Sequence, residues 1–308
     1  MHKNAIVAVV VTFHPNEEEL TPLFLRLSSQ THSLVIVDNT PTPATFNIEH
    51  FIKKLGIMDR CTLLSPGENL GIGKAINIGC QKAFELGAEF VLLSDQDSIP
   101  DNDMVKNLLV AFDILSAEGE NVAAIGPTYR DIYTNQTIPF QTYIKGRAFY
   151  SKTFPSKDHP FVETLSIITS GSLISQRVFS TVGPMREDLF IDYIDTEWSQ
   201  RARYKGYKVF GTGTATMQQR LGNNSMKVWY LKWRQESQYN PDRIYYRIRN
   251  YIALIKLKHI DFRWKLRSAW YNAGVIYSHS LFGNARVKCF SMACRGIWDG
   301  LWGKLGRI

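Results

Sequence analysis

The chain has 308 residues but only four cysteines, Cys61, Cys80, Cys289 and Cys294. None forms a C-x-x-C pair or lies beside a histidine at zinc spacing, so a disulfide framework and a structural zinc site are excluded, and reduced cytosolic thiols are expected. No stretch approaches the roughly 20 apolar residues that cross a bilayer. The apolar run from Ala5 to Phe13 meets His14-Pro15 too soon for the core of a secretory signal. A cytoplasmic chain, neither exported nor membrane-spanning, is the expectation. The two common phosphate-loop templates are also missing. G-x-x-x-x-G-K-[ST] fails because Gly73-Lys74 is followed by Ala75, and G-x-G-x-x-G fails at Ile76, which argues against an ATPase or a dinucleotide enzyme. The first 255 residues carry no formal net charge. The whole excess of +8 lies from Lys256 onward, where ten basic residues face Asp261 and Asp299. With 44% hydrophobic and 21% charged residues the chain is globular rather than disordered.

What is present begins with Ala5–Val11, a β-branched run of the kind that forms a central parallel strand buried on both faces. Pro15 ends it, and Asn16 is placed to cap a helix that opens with Glu17, Glu18 and Glu19. Leu34–Val37 and Cys61–Leu64 read as further strands. After the third comes a glycine-rich stretch from Pro66 to Gly79, in which Lys74 and backbone N–H groups at the start of a helix can receive a phosphate. Glu89–Leu93 is a fourth strand, a helix follows from Asp101 to about Ser116, and Val122–Pro127 is another strand. Residues 129–161 read as an insert over the substrate side, and Leu165–Ile174 as a strand broken by small hydroxyl residues, which lets a polar ligand approach the backbone. This alternation gives an α/β fold with a mostly parallel sheet.

The chemistry gathers at strand ends, where open α/β sheets bind ligands. Asp95 and Asp97 follow the fourth strand. In extended backbone they project to one side while Gln96 faces away, a geometry suited to a divalent cation with oxygen ligands. A polar turn with a capping acid is the alternative. Asp38 ends the second strand, where it can accept from a base or a ribose or simply form a turn. Asp192, Asp195 and Glu197 lie within six positions beside apolar Phe190, Ile191 and Ile194. There a carboxylate can have the raised pKa of a general base, although Asp195 also suits an N-cap.

These segments together resemble the family 2 glycosyltransferases, and within them the bacterial rhamnosyltransferases. The landmarks run in order as Thr12-Phe13-His14-Pro15, Val37-Asp38-Asn39, Asn69-Leu70-Gly71 through Asn77 and Gly79, Asp95-Gln96-Asp97, Thr169-Ser170-Gly171, and Ile194-Asp195-Thr196-Glu197 with Arg201. The resemblance spans roughly residues 5–250. It implies a GT-A fold, Rossmann-like, with a mainly helical C-terminal extension. The catalytic domain would cover 1–225, its nucleotide-sugar half about 1–127 and its acceptor half about 128–225, and the extension 226–308. It implies Mg2+ or Mn2+ on Asp97 and Asp95, and donor contacts from Thr12, His14, Asp38, Asn69, Gly71, Lys74 and Asp95. Asp195 would be the general base, with Glu197 and Asp192 as supporting or competing acids, and Thr169, Ser170, Gly171 and Trp198 would face the acceptor. The expected reaction is inverting transfer of L-rhamnose from dTDP-L-rhamnose to a saccharide, carried on undecaprenyl diphosphate, for surface polysaccharide of the O-antigen type. A UDP-hexose donor is the alternative.

Two places depart from the resemblance or extend it. Relatives often carry M-x-H-x-[LI]-G where this chain reads Met217-Gln218-Gln219-Arg220-Leu221-Gly222, so Gln219, a poorer metal ligand, replaces the histidine and Arg220 could neutralise phosphate instead. Tyr245-Tyr246-Arg247-Ile248-Arg249-Asn250 resembles Y-Y-x-x-R-N of the rhamnosyltransferase branch, which carries Arg249 over as a diphosphate or acceptor contact.

The last fifty residues combine the basic excess with Trp264, Trp270, Tyr271 and a helical face of Trp298, Leu301, Trp302 and Leu305. Such a face fits an anionic membrane interface at the inner side of the cell membrane, or packing on the catalytic domain or a second subunit. No nucleic-acid-binding motif is present. A sugar nucleotidyltransferase would need a glycine- and arginine-rich loop where Thr12–Pro15 stands. A non-catalytic nucleotide- or polyanion-binding protein is the remaining alternative class.

Overall fold

The computed structural model describes residues 5–132, 134–143, 150–219 and 225–308. The chain opens with β1 (Ile6–Thr12), α1 (Glu17–Gln30), β2 (Ser33–Asp38), α2 (Ile48–Lys54), β3 (Cys61–Leu64), α3 (Ile72–Glu85) and β4 (Phe90–Asp95). Asn16 caps α1 by accepting the Glu19 N–H at 2.9 Å, and its loss would cost about 1 kcal/mol. Then come β5 (Ser98–Pro100), α4 (Met104–Ala117), β6 (Val122–Asp131), a small hairpin of β7 (Phe140–Thr142) and β8 (Ser151–Thr153), β9 (Phe161–Thr164) and β10 (Leu173–Ser175). They are followed by α5 (Gln176–Val182), α6 (Ile194–Tyr204) and the long β11 (Lys208–Gln219). The C-terminal region opens with a hairpin, β12 (Ser225–Trp229) and β13 (Trp233–Ser237), before α7 (Pro241–Ile255), α8 (Phe262–Phe282) and α9 (Arg286–Trp302).

The main sheet runs β3-β2-β1-β4-β10-β6-β11-β5, with β9 also on β11. The pairs β1–β2, β2–β3, β1–β4 and β6–β11 are parallel, while β10, β5 and β9 run against their neighbours. The sheet is thus mixed but mostly parallel. Successive side chains of β1 divide between two cores, as a period of two demands. Val7 and Val9 face a cluster that includes Ala75 and Cys80 of α3, whereas Ile6, Ala8 and Val10 face one that includes Leu20, Leu23 and Phe24 of α1 and Leu108 of α4. Tyr251, Leu254, Ile260 and Trp264 belong to the first of these cores. Helices α7 and α8 therefore share a core with the main sheet, while Cys289 and Ala293 of α9 pack with Ile244 and Ile248 of α7 in a smaller cluster.

Several expected boundaries shift. The helix after the acidic cluster starts at Met104, because Ile99-Pro100 pairs with β11. The segment 165–172 is a loop, and only Leu173–Ser175 is strand. Gly171 there has φ +81°, and a Cβ on it would meet Pro127 and Met217 at 2.8 and 3.0 Å. Helix α9 ends at Trp302, with Gly303 in the left-handed region, so Leu305 lies past its face. Among the described residues no helix is long and apolar enough to cross a membrane.

Candidate active site

The carboxyl ends of β1, β2 and β4 carry residues expected to meet the donor. Thr12 is fully buried and donates its hydroxyl to Asp38 Oδ1 at 3.2 Å, an oxygen that also receives the Thr40 N–H. His14 is exposed, with its N–H on Thr40 Oγ1 at 2.8 Å. Thr12 is thus a brace for Asp38. Asn39 and Asn69 interlock: Asn39 Nδ2 donates to Asn69 Oδ1 at 3.0 Å, and Asn39 Oδ1 accepts from Leu70 N at 2.8 Å. Asn69 Oδ1 also receives the Gly71 N–H, so Asn69 shapes the loop. At the start of α3, Gly71 has φ +81° and lies so close to Phe190 that a Cβ would approach its ring to 2.6 Å. The Ile72 N–H donates to Phe190 O at 2.8 Å. Lys74 is exposed on the first turn of α3.

Asp95 is the last residue of β4, but Asp97 does not lie in extended backbone, because residues 96 and 97 form the turn between β4 and β5. Gln96 faces away, accepting the Phe13 N–H at 2.7 Å. The Asp95 N–H donates to Ser170 Oγ at 3.0 Å, and that hydroxyl also meets Ser98 Oγ at 2.8 Å. Ser170 is 0% exposed and Gly171 is buried. These two residues therefore support the acidic turn and do not face an acceptor, while Thr169, half-buried, accepts the Ser172 hydroxyl at its carbonyl.

Asp195 is near enough to the acidic turn for its charge to act on Asp95. Burial first, and then the charges of Asp97 and Asp195, raise the Asp95 pKa to about 7. Asp195 is itself raised, first by burial and then by Asp192, against the Thr196 N–H that donates to its Oδ1 at 2.7 Å. It does not cap α6; Tyr193 holds that position in the left-handed region. Tyr129, whose hydroxyl donates to Ser170 O at 2.7 Å, is raised by burial and by both Asp95 and Asp195. The charges of Asp97 and Asp195 both act on Asp95, and like charges so coupled disfavour joint ionisation.

The other acids have structural work. Glu197 is fully buried, accepting from Arg201 at 3.0–3.1 Å and lying 2.8 Å from His259 Nε2. Asp192 pairs with Arg243 at 3.2–3.3 Å. Trp198 is a core residue whose indole N–H donates to Gly183 O. It cannot touch an acceptor. Arg249 is 1% exposed and directs its guanidinium to the carbonyls of Leu189, Asp188 and Gly306. A diphosphate contact from Arg249 is excluded by that burial.

The loop before α6 is strained, with Phe190, Asp192 and Tyr193 at φ +64° to +65°, a conformation uncommon outside glycine. Beside it opens a cavity of about 380 Å3 lined by Asp195, Thr196, Tyr129, Ser166, Ile167 and Ile168. Its opposite wall comes from α7 and α8 through Arg247, Trp264, Arg267 and Tyr271. Sequence reasoning placed Trp264 and Tyr271 in the tail and did not single out Arg247 or Arg267 as site residues. The available signal was the i, i+4 spacing of Arg243 and Arg247, which puts both on one face of α7.

Among the described residues no group of three or more His, Cys, Asp and Glu stands ready to hold a metal. The donors present are nonetheless hard oxygens. Gln219 pairs with Ser98 across the β5–β11 ladder, and its buried Oε1 has no hydrogen-bond partner. Two carboxylates and an orphaned amide oxygen suit Mg2+ or Mn2+. Arg220, Leu221 and Gly222 lie outside the described residues.

A doubly covered, mostly parallel sheet with an acidic turn after its fourth strand and a half-buried aspartate whose charge reaches that turn is the arrangement of a glycosyltransferase of GT-A fold. The comparisons carry this further. The family model "Glycosyl transferase family 2" matches residues 8–183, and the chain belongs to that family. It is 32% identical over 262 residues to the dTDP-rhamnosyl transferase RfbF of Shigella flexneri, covering 85% of this chain and 83% of that protein. Among solved structures, GalNAc-T7 with UDP, GalNAc and Mn2+ aligns with TM-score 0.60 at 12% identity, over 97% of this chain and 56% of that one. Residues 1–349 of S. aureus TarS with UDP-GlcNAc align with TM-score 0.56 at 14% identity, over 96% and 80%. These two likenesses bear on the fold alone.

Proposed function

We propose that this glycosyltransferase transfers L-rhamnose from dTDP-L-rhamnose, with inversion, to a saccharide hydroxyl in the synthesis of a surface polysaccharide. The observation that carries the mechanism is that Asp195 lines the cavity and its charge also reaches Asp95 of the acidic turn. The sugar rests on the likeness to RfbF. In this reading residues 1–127 hold the donor, 128–225 supply the acceptor side and the base, and 226–308 close the acceptor cavity. Asp38 receives the base or ribose, while the start of α3 with Lys74 meets the diphosphate. Burial keeps Asp195 a stronger base than an exposed carboxylate. It takes the proton from the acceptor hydroxyl, whose oxygen attacks the anomeric carbon from the face opposite the diphosphate. Asp95, Asp97 and Gln219 would hold Mg2+ or Mn2+, which when bound supplies positive charge against that of the leaving diphosphate.

The acceptor in this reading is linked to undecaprenyl diphosphate, and the enzyme works in the cytoplasm against the inner face of the membrane. Supporting this, Trp298, Leu301 and Trp302 are 55–68% exposed on α9 and Trp270 is 84% exposed on α8, next to Lys304 and Arg307 in a region of net positive charge. The test is nucleotide release from a panel of dTDP-L-rhamnose and UDP-hexoses in the presence of a membrane extract as acceptor. Selective turnover of dTDP-L-rhamnose is expected, and turnover of a UDP-hexose alone would overturn the sugar assignment.

A further inference from the structure

The charges around the Asp195 cavity do not balance. Among the described residues its lining has one acid, Asp195, and two guanidiniums, Arg247 of α7 and Arg267 of α8. Neither guanidinium has a carboxylate within ion-pair distance among the described residues; Asp192, whose charge is felt at Arg247, is paired with Arg243, and Asp261 with Arg263. Both are held instead by neutral groups that fix position without cancelling charge. Arg247 lies 4.9 Å from the ring centre of Tyr271 and 5.1 Å from that of Tyr193, and its Nε donates to Asn272 Oδ1 at 3.2 Å. Arg267 lies 3.8 Å over the Tyr150 ring and reaches Gln141 Oε1 at 3.4 Å. Stacked on aromatic faces, each fork is pre-organised for a planar or tetrahedral oxyanion. Both are half-buried, where an unmatched cation is costly and a bound anion regains that cost. The buried Nδ2 of Asn272, also without a partner, leaves a further donor beside Arg247.

We infer that the acceptor carries an anionic group, phosphoryl or carboxylate, within about one sugar of the hydroxyl that Asp195 activates, and that Arg247 and Arg267 bind it. This deepens the functional reading, because it rests on Asp195 marking the acceptor side. The anion is not the donor diphosphate: Asp38, Lys74, Asp95 and Asp97 do not line this cavity. At about 380 Å3 the cavity is at the small end of ligand pockets, about 300–1,000 Å3. It holds a short acceptor segment, so the charge must lie close to the reacting sugar.

The test is calorimetric titration of the full chain, with the donor side saturated by dTDP and Mg2+, using glucose, glucose 1-phosphate and glucuronate. At least one anionic sugar is expected to bind about tenfold or more tighter than glucose, the factor given by one charge-assisted hydrogen bond. Glucose 1-phosphate alone would assign a phosphoryl, glucuronate alone a carboxylate, and both the charge itself. Arg267→Gln should remove most of the preference, Arg267→Lys, which keeps the charge but loses the stacked fork, should retain part of it, and both should bind dTDP as the wild type does. Arg267 lies at the cavity wall rather than among core residues, so its variants test binding without unfolding the protein. Equal binding of all three sugars, no binding of any, or a preference that survives Arg267→Gln and Arg247→Gln would overturn the inference. No arm requires turnover, so a failed donor panel and a failed anion preference are separate results.

Discussion

Arg249 Nη2 donates to the carbonyl oxygen of Leu189 at 3.0 Å, and by that bond α7 grips the loop that leads into Asp195. Asn250 completes the grip, its Nδ2 reaching the carbonyls of Leu189, Ile191 and Asp192 at 2.7–3.2 Å. These bonds span the residues held at positive φ, so the stored backbone strain is offset by a helix over fifty residues away in sequence.

Replacing Asn250 by alanine should therefore let the loop relax and Asp195 move. Leaving buried carbonyls unpaired costs about 1–3 kcal/mol. The expected result is a lower melting temperature together with a kcat loss that exceeds any change in donor KM. A variant with lower stability but wild-type kcat at a temperature where it is folded would contradict this positioning role.

Asp195→Asn should reduce kcat by about 10²–10⁴-fold, the range for a general base. Stability should move the other way. The folded pKa of Asp195 is raised, so the folded state favours the protonated acid. That stabilisation is full at low pH and is lost as pH rises through the raised value. Asparagine cannot ionise, so the variant should melt no lower than wild type at pH 8, and any advantage should shrink toward pH 4. The acid limb of kcat/KM should lie above the ordinary carboxylate value of about 4. Melting curves and pH–rate profiles check both halves.

Glu197→Gln should do the reverse. It removes the buried partner of Arg201 and the hydrogen-bond partner of His259, and breaking such a pair is destabilising by a few kcal/mol, discounted here because Arg201 is partly exposed. The folded fraction should keep kcat within a few-fold of wild type. An inactive but stable Glu197→Gln enzyme would transfer the role of base from Asp195.

Gly71→Ala should shift the glycine loop against Phe190, since the new Cβ would sit 2.6–2.9 Å from that residue at a strained φ. Weaker dTDP binding and lower stability are expected. Calorimetric titration with dTDP reads the first and thermal melting the second.

The parallel half of the sheet was legible because its strands are continuous apolar runs and its loops carry distinctive polar residues: Ala5–Val11 gave β1, and Asp95 and Asp97 marked the end of β4. The acidic residues after Gly183 were legible as a group, but their roles were not. Asp195 and Glu197 are two positions apart on one short helix, and only their partners separate them: Arg201 and His259 for Glu197, the cavity for Asp195. Trp198 and Arg249 were misassigned for the same reason, as burial and long-range hydrogen bonds decide what a tryptophan or arginine does. The contribution of α8 to the cavity depends on the fold back of the C-terminal region, which local sequence does not encode. Trp264 and Trp270 are alike in sequence context, yet one is in the core and the other is 84% exposed.

The central claim is that Asp195 activates an acceptor for attack on dTDP-L-rhamnose. Its most direct test is acceptor-dependent dTDP release from dTDP-L-rhamnose with Mg2+, wild type against Asp195→Asn, after dTDP binding by both proteins has been matched. Release by the wild type, with a loss of about 10²-fold or more in the variant at unchanged dTDP affinity, is the predicted result. Equal release by both proteins would contradict it.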